Sequence, residues 1–99
     1  EGFALAQVVR RLGARPHECF FWATHQGAEL DLLVVQGSRR LGFEFKHSSA
    51  PTFTRSMRIA IEDLRLDALD VVFPGQGVYP LAAGVRAVGI EDIEQVVGG

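Results

Sequence analysis

Gly27-Ala28-Glu29-Leu30-Asp31-Leu32-Leu33-Val34-Val35-Gln36 and Arg39-Arg40-Leu41-Gly42-Phe43-Glu44-Phe45-Lys46, separated by Gly37-Ser38, decide how this chain folds. Side chains alternate between faces along a strand. On the first run Glu29, Asp31, Leu33 and Val35 share one face, and Leu30, Leu32 and Val34 the other. On the return run Gly42, Glu44 and Lys46 lie opposite to Phe43 and Phe45. Gly-X suits the type II′ turn of a β-hairpin. With Gly37 and Ser38 as the loop, Gln36 pairs with Arg39, which sets Asp31 across from Glu44 and Glu29 across from Lys46. A four-residue loop on the same dipeptide keeps these pairs; a three- or five-residue loop breaks them.

Side chains directly opposite one another lie roughly 4.5–5.5 Å apart, and like charges there are destabilising. Two carboxylates on one patch therefore call for positive charge. A divalent cation with a neighbouring ammonium supplies it, and hard cations such as Mg²⁺ take one or two carboxylates while keeping several waters. The competing account is a solvated face, with Glu29–Lys46 a plain cross-strand ion pair and Asp31 and Glu44 facing water. Two features count against it. The opposite faces of both runs are apolar, and Lys46 is the single lysine in a chain with nine arginines.

Around this hairpin, 99 residues with 47% hydrophobic and 22% charged content fit one domain, residues 1–99, with its own core. The net charge of −2 gives no global signature of nucleic-acid binding, so such contacts would fall to local arginines. A single cysteine, Cys19, excludes an internal disulfide and a cysteine-rich zinc site. No apolar run approaches the roughly 20 residues of a membrane span, and no signal peptide is visible; a cytoplasmic location is expected. The chain opens at Glu1, without Met and already inside a helical pattern, so a fragment of a longer protein is expected.

Outside the hairpin, Leu5, Val8, Val9 and Leu12 give residues 1–12 a helical period ended by Gly13. Glu1, four residues before Leu5, falls on the inward face, where it could reach the acidic patch; fraying of the terminus is the other account. Residues 18–24 read as a strand that is apolar on both faces and hence covered, with Trp22 in the core. His25 lies in the turn that follows, making the first three strands a meander. After a polar loop broken by Pro51, residues 53–66 are helical, with Phe53, Met57, Ala60, Ile61 and Leu64 inward. Thr52 or Thr54 is the candidate N-cap, neither with an acid three positions on. Arg55, Arg58 and Arg65 lie mostly off the apolar stripe, either on a solvated face or along a phosphate backbone. Residues 69–73 form a buried strand, parallel to the strand carrying Glu44 because a helix joins the two. Residues 78–83 form a last strand, an edge because of Pro80. Residues 85–90 are a short extended piece, and residues 91–97 a final helical turn or two.

This order of helix, three-strand meander, helix, strand and strand, with an acid on the second strand and Glu44-Phe45-Lys46 on the third, resembles the PD-(D/E)xK nuclease superfamily. More closely, Trp22-Ala23-Thr24, Gly27-Ala28-Glu29-Leu30-Asp31-Leu32-Leu33, Phe43-Glu44-Phe45-Lys46 and Ser48-Ser49-Ala50-Pro51 look like the uncharacterised C-terminal domain of prokaryotic AAA-type ATPases. The resemblance implies a restriction-endonuclease-like α/β fold, a mixed central sheet flanked by helices. It implies a Mg²⁺ or Mn²⁺ cofactor, hydrolysis of DNA phosphodiesters and an upstream ATPase module in the same chain. Asp31 then looks like the metal ligand of the second strand and Glu44 like the second metal carboxylate. Lys46 looks like the group that orients or helps deprotonate the attacking water, and Glu1 like the added helix carboxylate of some members. Leu30, rather than proline, precedes Asp31. The alternative is a catalytically silent accessory domain that binds nucleic acid or a partner protein.

Overall fold

The structure, a computed structural model, describes residues 2–47 and 50–98. Glu1 and the Ser48-Ser49 pair of the polar loop lie outside the described residues.

The hairpin forms as its turn dictates. Strands β2 (Glu29–Gln36) and β3 (Arg39–Phe45) run antiparallel, with Gln36 opposite Arg39 and Leu32 opposite Phe43. Gly37 has φ 62°, the left-handed value that the first residue of such a turn requires and that glycine adopts without a Cβ clash. Strand β1 (Cys19–Ala23) pairs antiparallel with β2, completing the meander. Helix α2 (Arg55–Leu64) then crosses over to β4 (Ala68–Phe73), which lies parallel to β3 as the helical connection requires. Strands β5 (Val78–Ala82) and β6 (Val85–Gly89) form a second hairpin, and the six strands lie in the order β1-β2-β3-β4-β6-β5. Helix α1 (Gly2–Leu12) precedes the sheet, and the short α3 (Ile93–Val96) follows it. The fold is therefore a mixed six-stranded sheet with helices on both faces.

Two expectations change here. The stretch from Val85 is a full strand. It inserts parallel to β4, with Asp70 opposite Arg86 and Val72 opposite Val88, while Pro80-bearing β5 takes the edge as expected. Strand β1 is not covered: it is the other edge, with Phe20 48% and Phe21 68% exposed. An apolar run shows that a strand can be buried, not that a helix lies over it. Trp22 does pack inward, against the α2 side.

The sheet separates two apolar layers. Ala4 and Val8 of α1, with Ile93 and Val97, pack on Leu32, Val34, Phe43, Phe45, Val72 and Val88. On the other face Met57 of α2 packs with Leu30, Leu33, Leu69, Val71 and Val85. Helix α2 is closed at both ends. Thr54 Oγ1 accepts the Met57 N–H at 3.2 Å, and Met57 Sδ, standing where an acid is usual, accepts the Thr54 N–H at 3.5 Å. At the far end Arg65 turns left-handed (φ 53°) and Arg40 Nε donates to the Leu64 carbonyl at 2.5 Å. The Asp67 carboxylate accepts the Arg40 N–H in return. The C-terminal end of the helix is thereby tied to the beginning of β3. Among the described residues no helix is long and apolar enough to cross a membrane.

Candidate functional site

Alternation breaks inside β2, at Asp31, one of the expected site residues. From Phe20 to Trp22, β1 advances two positions, while their partners Leu33 and Leu30 are three apart. The extra residue falls within Asp31–Leu32, a β-bulge. Packing records the result: Leu30 and Leu33 both face α2, whereas Leu32 and Val34 face α1. Grouping Leu30 with Leu32, as strict alternation does, is therefore wrong.

The bulge also ends the pairing of β2 with β3, whose last rung is Leu32 opposite Phe43. The expected Asp31–Glu44 and Glu29–Lys46 rungs are thus not part of the ladder. The Lys46 N–H donates to the Val72 carbonyl of β4 at 2.8 Å, so the Phe45 N–H points the other way, toward β2. Asp31 Oδ2 accepts that N–H at 2.8 Å. A carboxylate stands where the bulge has withdrawn a main-chain acceptor, and this fixes its orientation.

Asp31 and Glu44 nevertheless meet. Phe43 and Phe45 face α1, so Glu44 between them faces α2, beside Val71. It is only 7% exposed. Burial, then the Asp31 charge, then a hydrogen bond with Asp31 push the Glu44 carboxyl up to about 8; the Lys46 charge pulls it down and Glu29 adds a lesser push. At neutral pH the pair therefore holds a proton. Among the described residues no direct ion pair joins Glu29 and Lys46; Lys46 acts on Glu44 through space. The start of β2 is held from across the layer: the Glu29 N–H donates to Ser56 Oγ at 3.0 Å, and Ser56 Oγ donates to the Glu29 carbonyl at 3.3 Å.

Three of the four expected site residues, Asp31, Glu44 and Lys46, are thus gathered at one end of the hairpin; the fourth, Glu1, lies outside the described residues. His25 is exposed in its turn. Among the described residues no group of three or more histidine, cysteine or acidic side chains is placed to hold a metal. The pair itself suits a hard cation. Two oxygen donors converge, and one keeps a proton only because of burial and its neighbour's charge. A divalent ion taking that proton's place would remove the repulsion. Ser56 carries no sequence signal for its tether, since nothing in Arg55-Ser56-Met57 points across to β2.

The same reading passed over a second polar feature. Asp70, 6% exposed, receives Arg86 Nε at 2.8 Å and Nη2 at 3.0 Å, and the same Nη2 reaches the Val96 carbonyl. An acid inside Leu69-Asp70-Val71-Val72 was the available signal. This pair borders a cavity of about 520 Å³ with Leu12, Leu41 and Val96, near the beginnings of β3, β4 and β6 and away from the carboxylate pair.

Two uncharacterized proteins, Rv2008c of Mycobacterium tuberculosis and Mb2031c of Mycobacterium bovis, are each 44% identical over 93 residues, which is 94% of this chain and 21% of theirs. The chain thus spans about a fifth of the length of these curated relatives. No solved structure matches it. Residues 1–93 match the domain of unknown function DUF4143, and the chain belongs to that family.

Proposed function

We propose that Asp31, Glu44 and Lys46 form a metal-dependent phosphodiester-hydrolysing site of the PD-(D/E)xK kind, acting on DNA within a longer protein that carries an AAA-type ATPase module. The observation that carries this reading is the meeting of two carboxylates from neighbouring strands, close enough to share a proton, under the field of the single lysine. Asp31 and Glu44 would hold Mg²⁺ or Mn²⁺, with Glu1 as the further carboxylate. When bound, the ion supplies Lewis acidity at a phosphoryl oxygen and lowers the pKa of water.

The chain's own groups divide the remaining work. The Phe45 N–H keeps the Asp31 carboxylate from rotating. Glu44, once it has lost its proton, would supply the second oxygen donor beside Asp31, which leaves the attacking water to be oriented by Lys46. Lys46, set by its main-chain bond to β4, offers positive charge where negative charge develops on the phosphate. Carboxylates alone would repel that phosphate.

Titration calorimetry with Mn²⁺ tests the reading: Asp31→Ala or Glu44→Ala should abolish binding, and Lys46→Ala should keep binding while losing cleavage of DNA. Absence of metal binding at millimolar concentration rejects it. The second reading, a silent accessory domain, is favoured by the lack of a third metal-ligating side chain among the described residues. It is supported if Lys46→Ala leaves the function of the full protein intact.

A further inference from the structure

The charges of α2 run against its dipole. A helix favours acids in its first turn and bases in its last. Here the first turn has no acid and the last no base. Arg55 opens the helix and Arg58 follows three positions on, while Glu62 and Asp63 lie at the other end. Residues three apart are neighbours on a helix surface, so the two guanidinium groups also repel each other. Both arginines are exposed, and among the described residues neither has a carboxylate partner. The Arg58 guanidinium lies 5.6 Å from the centroid of the Phe53 ring, which precedes the Thr54 cap. Arg58 is thus folded back toward the beginning of α2. Arg58 has a ring partner in Phe53, but among the described residues neither cation has a carboxylate to offset its cost at this end of the helix.

Their position supplies the reason. Ser56, between them in sequence, is the residue bonded to Glu29, two residues before Asp31. Both arginines therefore stand in the turn of α2 that is tied to the start of β2, the strand that carries Asp31. A single phosphate ester at the pair would leave them unused. A polymer with phosphates at regular intervals would reach both.

We infer that Arg55 and Arg58 are the positioning contact for a DNA backbone, gripping phosphates beside the one presented to Asp31 and Glu44. This rests on the hydrolase reading of that pair, and it locates a binding surface on a chain whose net charge of −2 shows none globally. Bound phosphates would complete a helix end that is electrostatically frustrated in the free protein.

The test is fluorescence anisotropy with a labelled DNA duplex of about 20 base pairs, in EDTA so that no cleavage occurs, over a series of salt concentrations. The Arg55→Ala/Arg58→Ala double variant should bind at least tenfold more weakly, with the slope of log K against log[salt] smaller by about 2. Arg39→Ala, at the opposite end of β3, should leave both unchanged, and Arg55→Lys/Arg58→Lys should retain the slope. An unchanged affinity and slope in the double alanine variant, or no duplex binding by the parent protein at about 50 mM salt, overturns the inference. Thermal melting establishes that the variants are folded, and the lysine pair keeps the test alive if the alanine pair is not. Mn²⁺ calorimetry on the same proteins separates the two readings. Normal metal binding with arginine-independent DNA affinity removes the arginine contact alone. Arginine-dependent DNA affinity without metal binding removes the hydrolase reading and leaves the contact.

Discussion

Glu44 concentrates the electrostatic cost of the site in one residue. Its carboxyl stands near 4.5 in the unfolded chain and is pushed up to about 8 in the fold. Below the lower value both states hold the proton and the group is neutral toward stability. Between the two values the unfolded chain releases the proton while the folded one keeps it, so stability falls as pH rises through that window, by roughly 2–4 kcal/mol. Glu44→Gln should flatten the decline, read as urea midpoints at pH 5 and pH 8. In the parent protein Mg²⁺ should restore stability mainly at pH 8, where displacing the proton is easiest. A second residue is limited by space rather than charge. A Cβ on Gly89 would lie 2.5 Å from the Gly75 carbonyl oxygen and 2.6 Å from Gln76 Cα. These are backbone atoms that cannot swing aside, so Gly89→Ala should cost about 1–3 kcal/mol in a denaturant melt.

At the scale of elements, α2 has its polarity set from outside itself. Its apolar stripe was legible in the sequence, and Met57 and Ala60 are fully buried as that stripe requires. Its N-cap was legible as one of two threonines, of which Thr54 is the one; the methionine sulfur that completes the cap and the hold of Arg40 of β3 on the far end were not. Thr54→Ala should lower stability by about 1 kcal/mol. Arg40→Ala should lower it by a similar amount, while raising hydrogen exchange at the C-terminal turn of α2. Equal protection in both proteins would show that the guanidinium is not the cap. The bulge in β2 belongs to this scale too. It arises from pairing with β1, and it turns Leu30 and Asp31 away from simple alternation, so inspection of β2 alone could not find it.

At the scale of the whole molecule, the Asp70–Arg86 pair on the α1 side joins β4, β6 and the end of α3. The hydrogen bond and charge of the neighbouring carboxylate raise the Arg86 pKa further, so the guanidinium stays charged. Removing one partner strands the other. Asp70→Ala should cost about 2–3 kcal/mol, less than a fully buried pair because Arg86 is partly exposed, and replacing both by Leu and Met should recover most of it. Additive losses in a double-mutant cycle would show that the two do not act as a unit.

The hairpin and its register from Gln36–Arg39 to Leu32–Phe43 follow from Gly37-Ser38, because a tight turn propagates its pairing along both strands; the Asp31–Glu44 and Glu29–Lys46 rungs expected beyond it do not form. The crossover helix and the parallel β3–β4 pair follow from chain connectivity. Only the folded chain decided which strands lie at the edges, since an apolar run such as Cys19–Ala23 carries no record of what covers it. Only the fold, too, placed Val85–Gly89 inside the sheet and brought Ser56 to Glu29. Asp31 came to face the Phe45 N–H for a related reason. A bulge is a mismatch between two strands, and neither strand's sequence contains it alone.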